Sequence, residues 1–251
     1  MTLNLGRIVP FQKLSGVENM SLDQTLQESV DRQQIPTLRF YGWNVPTLSL
    51  GYFQPFLSRR THSPSLLSAC VRRATGGGAI MHHRELTYSL VLPQSIQMIG
   101  PRLDLYEKIH ASLVRALYDC GVPVAPFRQS DQNQCGWDCD AFLCFRRRTA
   151  EDLILHGYKV LGSAQRKSRS SLLQHGSLLL DASEFAPELP GVNDLLNSEV
   201  QLNELIEAIT QNFSDDLGIK WKESSFSSEE MTRANEIAAD RFASERWLCR
   251  R

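Results

Sequence analysis

The sequence predicts a single domain of the α+β or mixed-sheet class. Strand-like segments and amphipathic helical segments follow one another along the 251 residues without regular βαβ alternation. The composition is that of a globular protein, 42% hydrophobic and 22% charged, with no internal repeat, low-complexity tract or linker. The length is sufficient to bury a core without covalent cross-links.

Charge and cysteine content narrow the class of protein further. The formal net charge is −1, so there is no overall attraction to nucleic acid or membranes. No segment approaches the roughly 20 apolar residues of a membrane span, and the N-terminal segment lacks a signal-peptide pattern. The cysteines show no disulfide spacing, which indicates free thiols and a cytoplasmic location. They are Cys70, Cys120, Cys135, Cys139, Cys144 and Cys249.

Four amphipathic helices are predicted from apolar residues at helical spacing and from N-terminal capping patterns. The first spans residues 18–33 and should bury Leu22, Leu26 and Val30. The other three are expected to begin at Asp104 with Glu107, at Ser198 with Gln201, and near Ser227 with Glu230.

Strand-like segments occupy the intervals between these helices. Residues 37–41 and 47–53 are predicted to pair as a hairpin, and residues 85–92 form another strand. Between them lies Gly76-Gly77-Gly78, flanked by strand-like residues. Its amides could cradle an oxyanion, a phosphate or a carboxyl-derived group, but the triplet alone favours a tight hairpin turn.

The segment from residue 144 to 181 brings a thiol, an amine and small residues into one compact element. An apolar strand at 153–155, a turn at His156-Gly157 and a following strand predict a hairpin with Lys159 at the start of its second arm. A nearby ammonium favours the thiolate of Cys144, which is the nucleophilic form in acyl transfer. Without further context, a lone cysteine is more often a buried structural residue and a lysine a solvated one.

The polar segment 128–140 is predicted to be a loop. Within it, Cys135 and Cys139 have aspartates close by and could suggest a metal site. No second pair of ligands follows, so free thiols and no metal are expected.

Five motifs follow one another along nearly the whole chain. They are residues 16–23, residues 38–43 with 46–54, Arg72-Arg73 through the glycine triplet to His82, Lys159 with residues 162–165, and His175-Gly176 with residues 178–181. Each motif is weak by itself, but their order and spacing are specific. Together they resemble the lipoate-protein ligase/biotin-protein ligase superfamily, and specifically its cysteine-dependent octanoyltransferase branch.

The resemblance implies a mixed, mostly antiparallel central sheet flanked by helices, with an apolar tunnel for an eight-carbon acyl chain. Residues 1–251 would form one catalytic domain without an accessory C-terminal domain. The implied reaction moves octanoyl from acyl carrier protein, through a cysteine thioester, to a lysine of a lipoyl domain or a glycine-cleavage H-type protein, and it needs no cofactor. The implied alternative is a lipoate-protein ligase that consumes ATP with magnesium and acts through lipoyl-AMP.

Three features favour the transferase over the ligase. Cys144 lies fifteen residues before Lys159, in the register of the transferase pattern, and the ligases lack this cysteine. After His82 the chain continues His83-Arg84-Glu85, where ligases have Asp-x-Gly-Asn with an Asn that serves the nucleotide and metal. The chain also ends near Trp247, without room for the accessory domain of many ligases.

The chain departs from the transferase pattern at several positions. The family's Pro-Ser-x-x-Glu corresponds to residues 148–152 here, with Asp152 in place of Glu. Three arginines, Arg146–Arg148, follow the nucleophile, and His83 replaces a common Asp. The arginines and His83 motivate a third hypothesis, a non-enzymatic member that only binds an acyl group or a lipoyl domain.

On this resemblance Cys144 is the predicted nucleophile. Lys159 would stabilise the thiolate as a cation or, once neutral, remove a proton from the incoming amine. Arg73 would orient the glycine loop or meet the donor's phosphopantetheine arm, and His82 either lines the site or is a structural histidine. Amides near residues 162–164 could form an oxyanion hole. The predicted substrate-binding residues are Arg73, Gly76, Gly77, Gly78, His82, Ser89, Gly162, Ser163, Ala164, His175 and Gly176.

An eight-carbon chain offers about seven methylene or methyl groups for burial, or roughly 5–6 kcal/mol of selectivity. Because acyl carrier proteins and lipoyl domains are acidic, cations at both ends of the central hairpin could steer their docking, although a solvated surface explains them equally well. These cations are Arg146, Arg147, Arg148, Arg166, Lys167 and Arg169.

Overall fold

The computed structural model describes residues 4–97, 102–130 and 137–251. In chain order its strands are β1 (Asn4–Leu14), β2 (Thr37–Trp43), β3 (Thr47–Leu50), β4 (Ala69–Arg72), β5 (Ile80–His82), β6 (Glu85–Pro93), β7 (Ala125–Pro126), β8 (Leu153–Leu155), β9 (Tyr158–Lys167), β10 (Ser171–Leu179) and β11 (Ile219–Glu223). Its helices are α1 (Gly16–Gln33), α2 (Gln94–Gln97), α3 (Arg102–Asp119), α4 (Val192–Leu196), α5 (Leu202–Leu217), α6 (Ser228–Ile237) and α7 (Glu245–Leu248).

Two sheets form the centre of the fold. The larger has the order β11-β1-β2-β6-β10-β9-β8-β7, and the smaller has the order β4-β3-β5. In the larger sheet only β1 pairs in parallel, with β2 and β11, and the remaining described neighbours are antiparallel. The predicted α+β class with a mixed, mostly antiparallel sheet flanked by helices is therefore confirmed.

The side chains of β6 alternate between two apolar layers, as the pleat of a strand requires. Leu86 and Leu90 pack with α3 and α5 on one face, whereas Val91 packs with Leu26 and Val30 of α1 on the other. Helix α1 begins at a capping box formed by Ser15 and Glu18. Its predicted buried stripe is confirmed, with Leu22, Leu26 and Val30 at most 3% exposed.

The predicted hairpin of residues 37–41 and 47–53 is wrong. Strand β2 lies between β1 and β6 in the larger sheet, whereas β3 lies between β4 and β5 in the smaller one. Every residue of both strands is buried. Because each strand is central in its own sheet, neither has a free edge for the other.

The glycine triplet does not form a hairpin turn either. Strands β4 and β5, which flank it, pair with opposite edges of β3, one in parallel and one antiparallel. The segment 76–78 therefore crosses the end of β3 instead of reversing between paired strands. This crossing places the glycine backbone at the end of the smaller sheet.

The remaining helix predictions differ mainly at their ends. The capping box at Ser227 and Glu230 is confirmed, but Met231 in α6 is 43% exposed. Helix α5 begins at Leu202 with Gln201 as N-cap, so the box expected at Ser198 is wrong. The box expected at Asp104 involves a side chain outside the described set. None of the described helices has the length and apolar character that a membrane crossing requires.

Candidate active site

The side chain of Lys159, at the start of the second strand of the predicted hairpin, lies next to Cys144. Strands β8 and β9 form that hairpin, with Lys159 opposite Ile154 at its start. The Nζ of Lys159 lies 3.9 Å from the Sγ of Cys144 and 3.5 Å from its carbonyl oxygen. Cys144 opens a short 3₁₀ turn, and its N–H donates to Ala79 O at 2.7 Å. The thiol is thereby tied to the segment that follows the glycine triplet.

Asp152 is the second partner of Lys159. Its Oδ2 lies 2.8 Å from Lys159 Nζ, and the two side chains are 2% and 3% exposed. The same oxygen accepts from Thr149 N–H at 2.7 Å, which holds the carboxylate in a local turn. A buried ammonium requires such a counter-charge, so Asp152 stabilises Lys159 as a cation beside the thiol.

The Arg73 side chain holds the glycine loop by hydrogen bonds to its carbonyl oxygens. One guanidinium nitrogen donates to Gly76 O and Gly78 O, both at 2.7 Å, and the other donates to Ser49 O at 3.0 Å. Burial lowers the pKa of Arg73 to about 10, and the neighbouring Cys144 opposes that shift. Arg73 is placed to orient the loop, the first of the two roles expected for it.

The loop packs directly on Cys144. A Cβ on Gly78 would lie 3.1 Å from both Cα and N of Cys144. Gly77 has φ +94°, in the region that favours glycine, and a Cβ there would lie 4.0 Å from Cys144 Sγ. The site therefore depends on glycine at these positions for a close backbone approach.

A cavity that is open to solvent lies beside Cys144. Nine of the predicted binding residues line it with Cys144: Arg73, Gly76, Gly77, His82, Gly162, Ser163, Ala164, His175 and Gly176. Gly78 lies behind Cys144. Ser89 is fully buried on β6, between Arg39 and His175 of the adjacent strands, and does not line the cavity. Six further lining residues were not predicted: Met20, Tyr41, Trp43, Ile80, Thr87 and Ser177.

One wall of the cavity is a polar network around Glu85. Its Oε1 accepts from Trp43 Nε1 at 3.0 Å, from Ser177 Oγ at 2.9 Å and from Thr87 Oγ1 at 2.6 Å. His82 Nδ1 lies 2.7 Å from the same oxygen, and its ring stacks on Trp43 with centroids 3.8 Å apart. His82 therefore lines the site and is also a hydrogen-bonded structural histidine.

Donor and acceptor can be assigned in each hydrogen bond that the Ser163 hydroxyl makes with His110 and Tyr88. His110 Nδ1 donates to Glu151 O at 2.6 Å, so in the neutral ring Nε2 accepts from Ser163 Oγ at 2.9 Å. Tyr88 OH then donates to Ser163 Oγ at 2.7 Å. Burial lowers the pKa of His110 to about 4, in agreement with a neutral ring. The Ser163 hydroxyl proton is committed to His110, away from the cavity.

His175, on the opposite side of the cavity, is held by two hydrogen bonds. Its Nε2 lies 2.9 Å from Thr75 Oγ1 and its Nδ1 lies 3.2 Å from Asp23 Oδ2. Burial would raise the pKa of Asp23, but hydrogen bonding to His175 and the charge of Arg39 outweigh burial and lower it. Asp23 thus links α1 to the cavity wall.

Two of the arginines that follow Cys144 donate hydrogen bonds to main-chain oxygens. Arg147 Nε donates to Ala141 O at 2.6 Å, and Arg148 donates to Phe145 O at 2.7 Å. Arg146 is 39% exposed and lies 3.9 Å from an oxygen of Asp138. At least two arginines of the segment after Cys144 therefore stabilise the local backbone.

The other cysteines that the structure describes take no part in this geometry. Cys70, Cys120, Cys139 and Cys249 are free thiols. Cys135 lies outside the described residues, as does the rest of 131–136. In the portion of the chain that the structure describes, no group of His, Cys, Asp or Glu side chains could hold a metal ion.

Asp152, Glu85 and His110 were not predicted as site residues. The hairpin register could have indicated Asp152, because it lies two residues before Ile154, the partner of Lys159. Glu85 and His110 had no comparable signal, since their partners come from distant parts of the chain.

Comparison with known proteins gives consistent results in sequence and structure. The model of the lipoyl protein ligase A/B catalytic domain family matches residues 15–189. An octanoyltransferase LipM of Kyrpidia tusciae is 31% identical, over 95% of this chain and 97% of that protein. Another, from Symbiobacterium thermophilum, is 40% identical over 66% of this chain and 62% of that protein.

Solved structures of similar fold are lipoate-protein ligases. A putative lipoate protein ligase of T. acidophilum with bound lipoic acid superposes with a TM-score of 0.77 at 21% identity, covering 98% of this chain and 100% of that one. A lipoate-protein ligase A bound with ATP gives 0.75 at 20% identity, covering 98% of each chain. At these identities the likeness concerns the fold. The matched domain spans the Cys144–Lys159 pair and the whole cavity, and the chain belongs to the lipoyl protein ligase A/B catalytic domain family.

Proposed function

We propose that this chain is an octanoyltransferase of protein lipoylation whose reaction passes through a thioester on Cys144. The activity is that of relatives that align over nearly their full length. It requires an octanoyl donor and a lipoyl-domain acceptor. We infer that the donor is octanoyl-acyl carrier protein and that the acceptor is a lysine of a lipoyl domain or an H-type protein.

The observation that carries the thioester route is the 3.9 Å separation between Lys159 Nζ and Cys144 Sγ at the cavity wall. In the first step the Cys144 thiolate attacks the donor's carbonyl carbon. A C–S bond forms to Cys144, the donor's C–S bond breaks, and the carrier thiol leaves with the proton that Cys144 gave up. The acyl group keeps thioester activation, so ATP is not needed.

In the second step the neutral amine of the acceptor lysine attacks the Cys144 thioester. An amide forms, the C–S bond to Cys144 breaks, and the proton released from nitrogen returns to the thiolate. Lys159, paired with Asp152 at 2.8 Å, acts in both steps as a cation that stabilises the thiolate. This role is supported over the alternative in which a neutral Lys159 acts as base.

The cavity suits an acyl chain on one side and a reacting carbonyl on the other. Met20, Ile80 and Trp43 supply apolar wall, whereas Gly162, Ser163 and Ala164 bring main chain to the region of the thiol. Since the hydroxyl of Ser163 is committed to His110, any donor to the developing oxyanion on this side would be a main-chain N–H.

Intact-protein mass spectrometry tests the proposal. Wild-type protein is mixed with octanoyl-acyl carrier protein without ATP, and a lipoyl domain is then added. We expect a gain of one octanoyl group that is discharged by the lipoyl domain. Cys144→Ala should gain nothing, whereas Cys139→Ala, which removes an exposed thiol from the same segment, should behave as wild type.

Two results would contradict the proposal. Acylation of the lipoyl domain only from free octanoate or lipoate with ATP and magnesium would identify a ligase. Binding of the donor without any adduct or turnover would identify a non-enzymatic member of the family.

A further inference from the structure

A group of arginines lies against the half-buried aromatic rings of Tyr52 and Trp247. The guanidinium of Arg241 lies 3.7 Å from the ring centroid of Trp247, and that of Arg250 lies 4.7 Å from the same ring. Arg250 also lies 4.1 Å from the centroid of Tyr52. Burial lowers the pKa of Arg241, and the next largest contributions include the charges of Arg166 and Arg250. The three arginines therefore form one positive surface, here called the arginine rim (Arg166, Arg241 and Arg250).

The rim is connected to the cavity through helix α1. Met20 lines the cavity, and one turn further along, Gln24 accepts a hydrogen bond from Arg241 at 2.7 Å. A turn beyond that, Gln27 donates to the main chain of Arg166 at 2.9 Å. Each helical turn advances about 5.4 Å, so the rim is set back from the cavity by roughly one to two turns.

Strand β9 makes a second connection. Ala164 lines the cavity, and Arg166 lies two residues further along β9, on the same face of the sheet. On the far side, Phe53 is 67% exposed and lies within van der Waals range of a Cβ built on Gly76. Positive charge and exposed aromatic surface thus continue to the glycine loop.

Within the described structure, the rim arginines have no carboxylate at salt-bridge distance. Arg166, Arg241 and Arg250 form none of the salt bridges found among the described residues. The charge of Glu28 acts on Arg241, but Glu28 is itself bound to Arg233 at 2.8 Å. A chain with a net charge of −1 therefore concentrates unpaired positive charge beside its cavity.

We propose that the arginine rim is the docking surface for the acidic carrier protein that delivers the octanoyl thioester. This proposal rests on the proposed function. A carrier protein presents its thioester on a phosphopantetheine arm longer than a lysine side chain, so it suits a surface set back from the nucleophile. The acceptor must bring its lysine close to Cys144 and would use a surface nearer to the thiol. Of the cations that the sequence suggested for docking, Arg166 belongs to the rim, whereas Arg147 and Arg148 donate to main-chain oxygens.

The test compares two donors and two double variants. Arg166→Gln/Arg250→Gln removes two charges from the rim. Lys220→Gln/Lys222→Gln removes two exposed charges from β11, at the far edge of the larger sheet. Each protein is assayed with octanoyl-acyl carrier protein and with octanoyl-N-acetylcysteamine, an uncharged thioester without a protein surface.

For the rim variant we expect KM for the octanoyl carrier protein to rise about tenfold, because electrostatic steering is lost. The rim variant should keep the wild-type rate with octanoyl-N-acetylcysteamine and the wild-type KM for the lipoyl domain. An unchanged rate with the small thioester would also show that the site is folded. Arg166→Glu should raise KM for the carrier protein further and leave the small thioester unaffected.

Three results would overturn the inference. Equal KM values in the rim and β11 variants would end the docking proposal and leave the octanoyltransferase standing. A rise in KM for the lipoyl domain instead of the carrier protein would assign the rim to the acceptor. Failure of the wild type to transfer octanoyl from either donor would end both proposals together.

Discussion

Lys159 is shared between two groups, the Sγ of Cys144 at 3.9 Å and the carboxylate of Asp152 at 2.8 Å. The carboxylate stabilises the ammonium and fixes its position, but its negative charge also opposes a thiolate nearby. Asp152 is therefore a positioning residue that acts on the reaction through Lys159. Asn at this position removes the charged anchor without changing the size of the side chain.

Asp152→Asn should slow octanoyl transfer by about a hundredfold, because Lys159 loses the anchor that holds it beside Cys144. In the same variant KM for octanoyl-acyl carrier protein should stay that of wild type, because Asp152 does not line the cavity. Both constants are obtained from initial rates of octanoyl transfer over a range of donor concentrations.

Asp140→Asn, which changes an exposed aspartate in the same part of the chain, is the matched control. It should leave both the transfer rate and KM as in wild type. If Asp152→Asn raised KM for the donor, or lowered the transfer rate only in proportion to the fraction of unfolded protein, Asp152 would not act through the position of Lys159.

At the scale of the element, two glycines of the site differ sharply in the space around them. A Cβ on Gly162 of β9 would lie 2.5 Å from Cε and 2.8 Å from Nζ of Lys159. A Cβ on Gly76 would meet only Phe53, at an ordinary contact distance of 3.9 Å. The atoms that Gly162→Ala displaces are the flexible end of a lysine, so the fold can adjust while the lysine moves.

Gly162→Ala should therefore reduce octanoyl transfer by about a hundredfold with little change in Tm. Gly76→Ala should retain the transfer rate, which makes it the control for a methyl group added to the same cavity. Thermal unfolding and the rate with octanoyl-acyl carrier protein are measured for both. A large fall in Tm for Gly162→Ala would show that the position serves the sheet and not Lys159.

The secondary-structure elements also show which features of the fold can be predicted from local sequence patterns. The β8–β9 hairpin, α1 and the α6 capping box follow from interactions within a few residues, and all three were predicted correctly. The pairing of residues 37–41 with 47–53 was predicted from proximity in sequence, but β2 and β3 are completed by strands from distant parts of the chain. Strands β1 and β11 were not predicted.

The same distinction applies to the candidate site. Cys144, Lys159 and the glycines were recognisable because their residue types and order form motifs. Asp152 appeared in the sequence only as a substitute for a glutamate. Glu85 obtains its role from Trp43 and Ser177, which are 42 and 92 residues away. Contacts of that range depend on sheet register, which the sequence alone did not supply.

At the scale of the whole molecule, buried His110 couples folding to pH. Its pKa is lowered by burial from 6.5 to about 4, so between these values the unfolded chain binds a proton that the folded chain does not. The free energy of unfolding should therefore fall as pH decreases from 6.5 toward 4 and level off below that for this group. The contribution is roughly 3 kcal/mol.

Denaturant unfolding of wild type and His110→Gln across pH 4–7 measures this contribution as a difference in slope. The variant should lose the pH dependence attributable to His110, whatever its absolute stability. His156→Asn, which removes an exposed histidine at a turn with φ 47°, is the matched control. Identical slopes for wild type and His110→Gln would show that the ring is protonated inside the folded protein.

The parallel pairing of β1 with β11 joins residues near the two ends of the chain, with Asn4 opposite Ile219. During synthesis β1 therefore emerges from the ribosome long before its outer neighbour exists. Until then its outer edge has unpaired N–H and C=O groups, which can recruit strands from other chains. Nascent chains stalled before residue 219 should consequently be a main source of aggregation in cells, and a chaperone that covers β1 would be most useful during that interval.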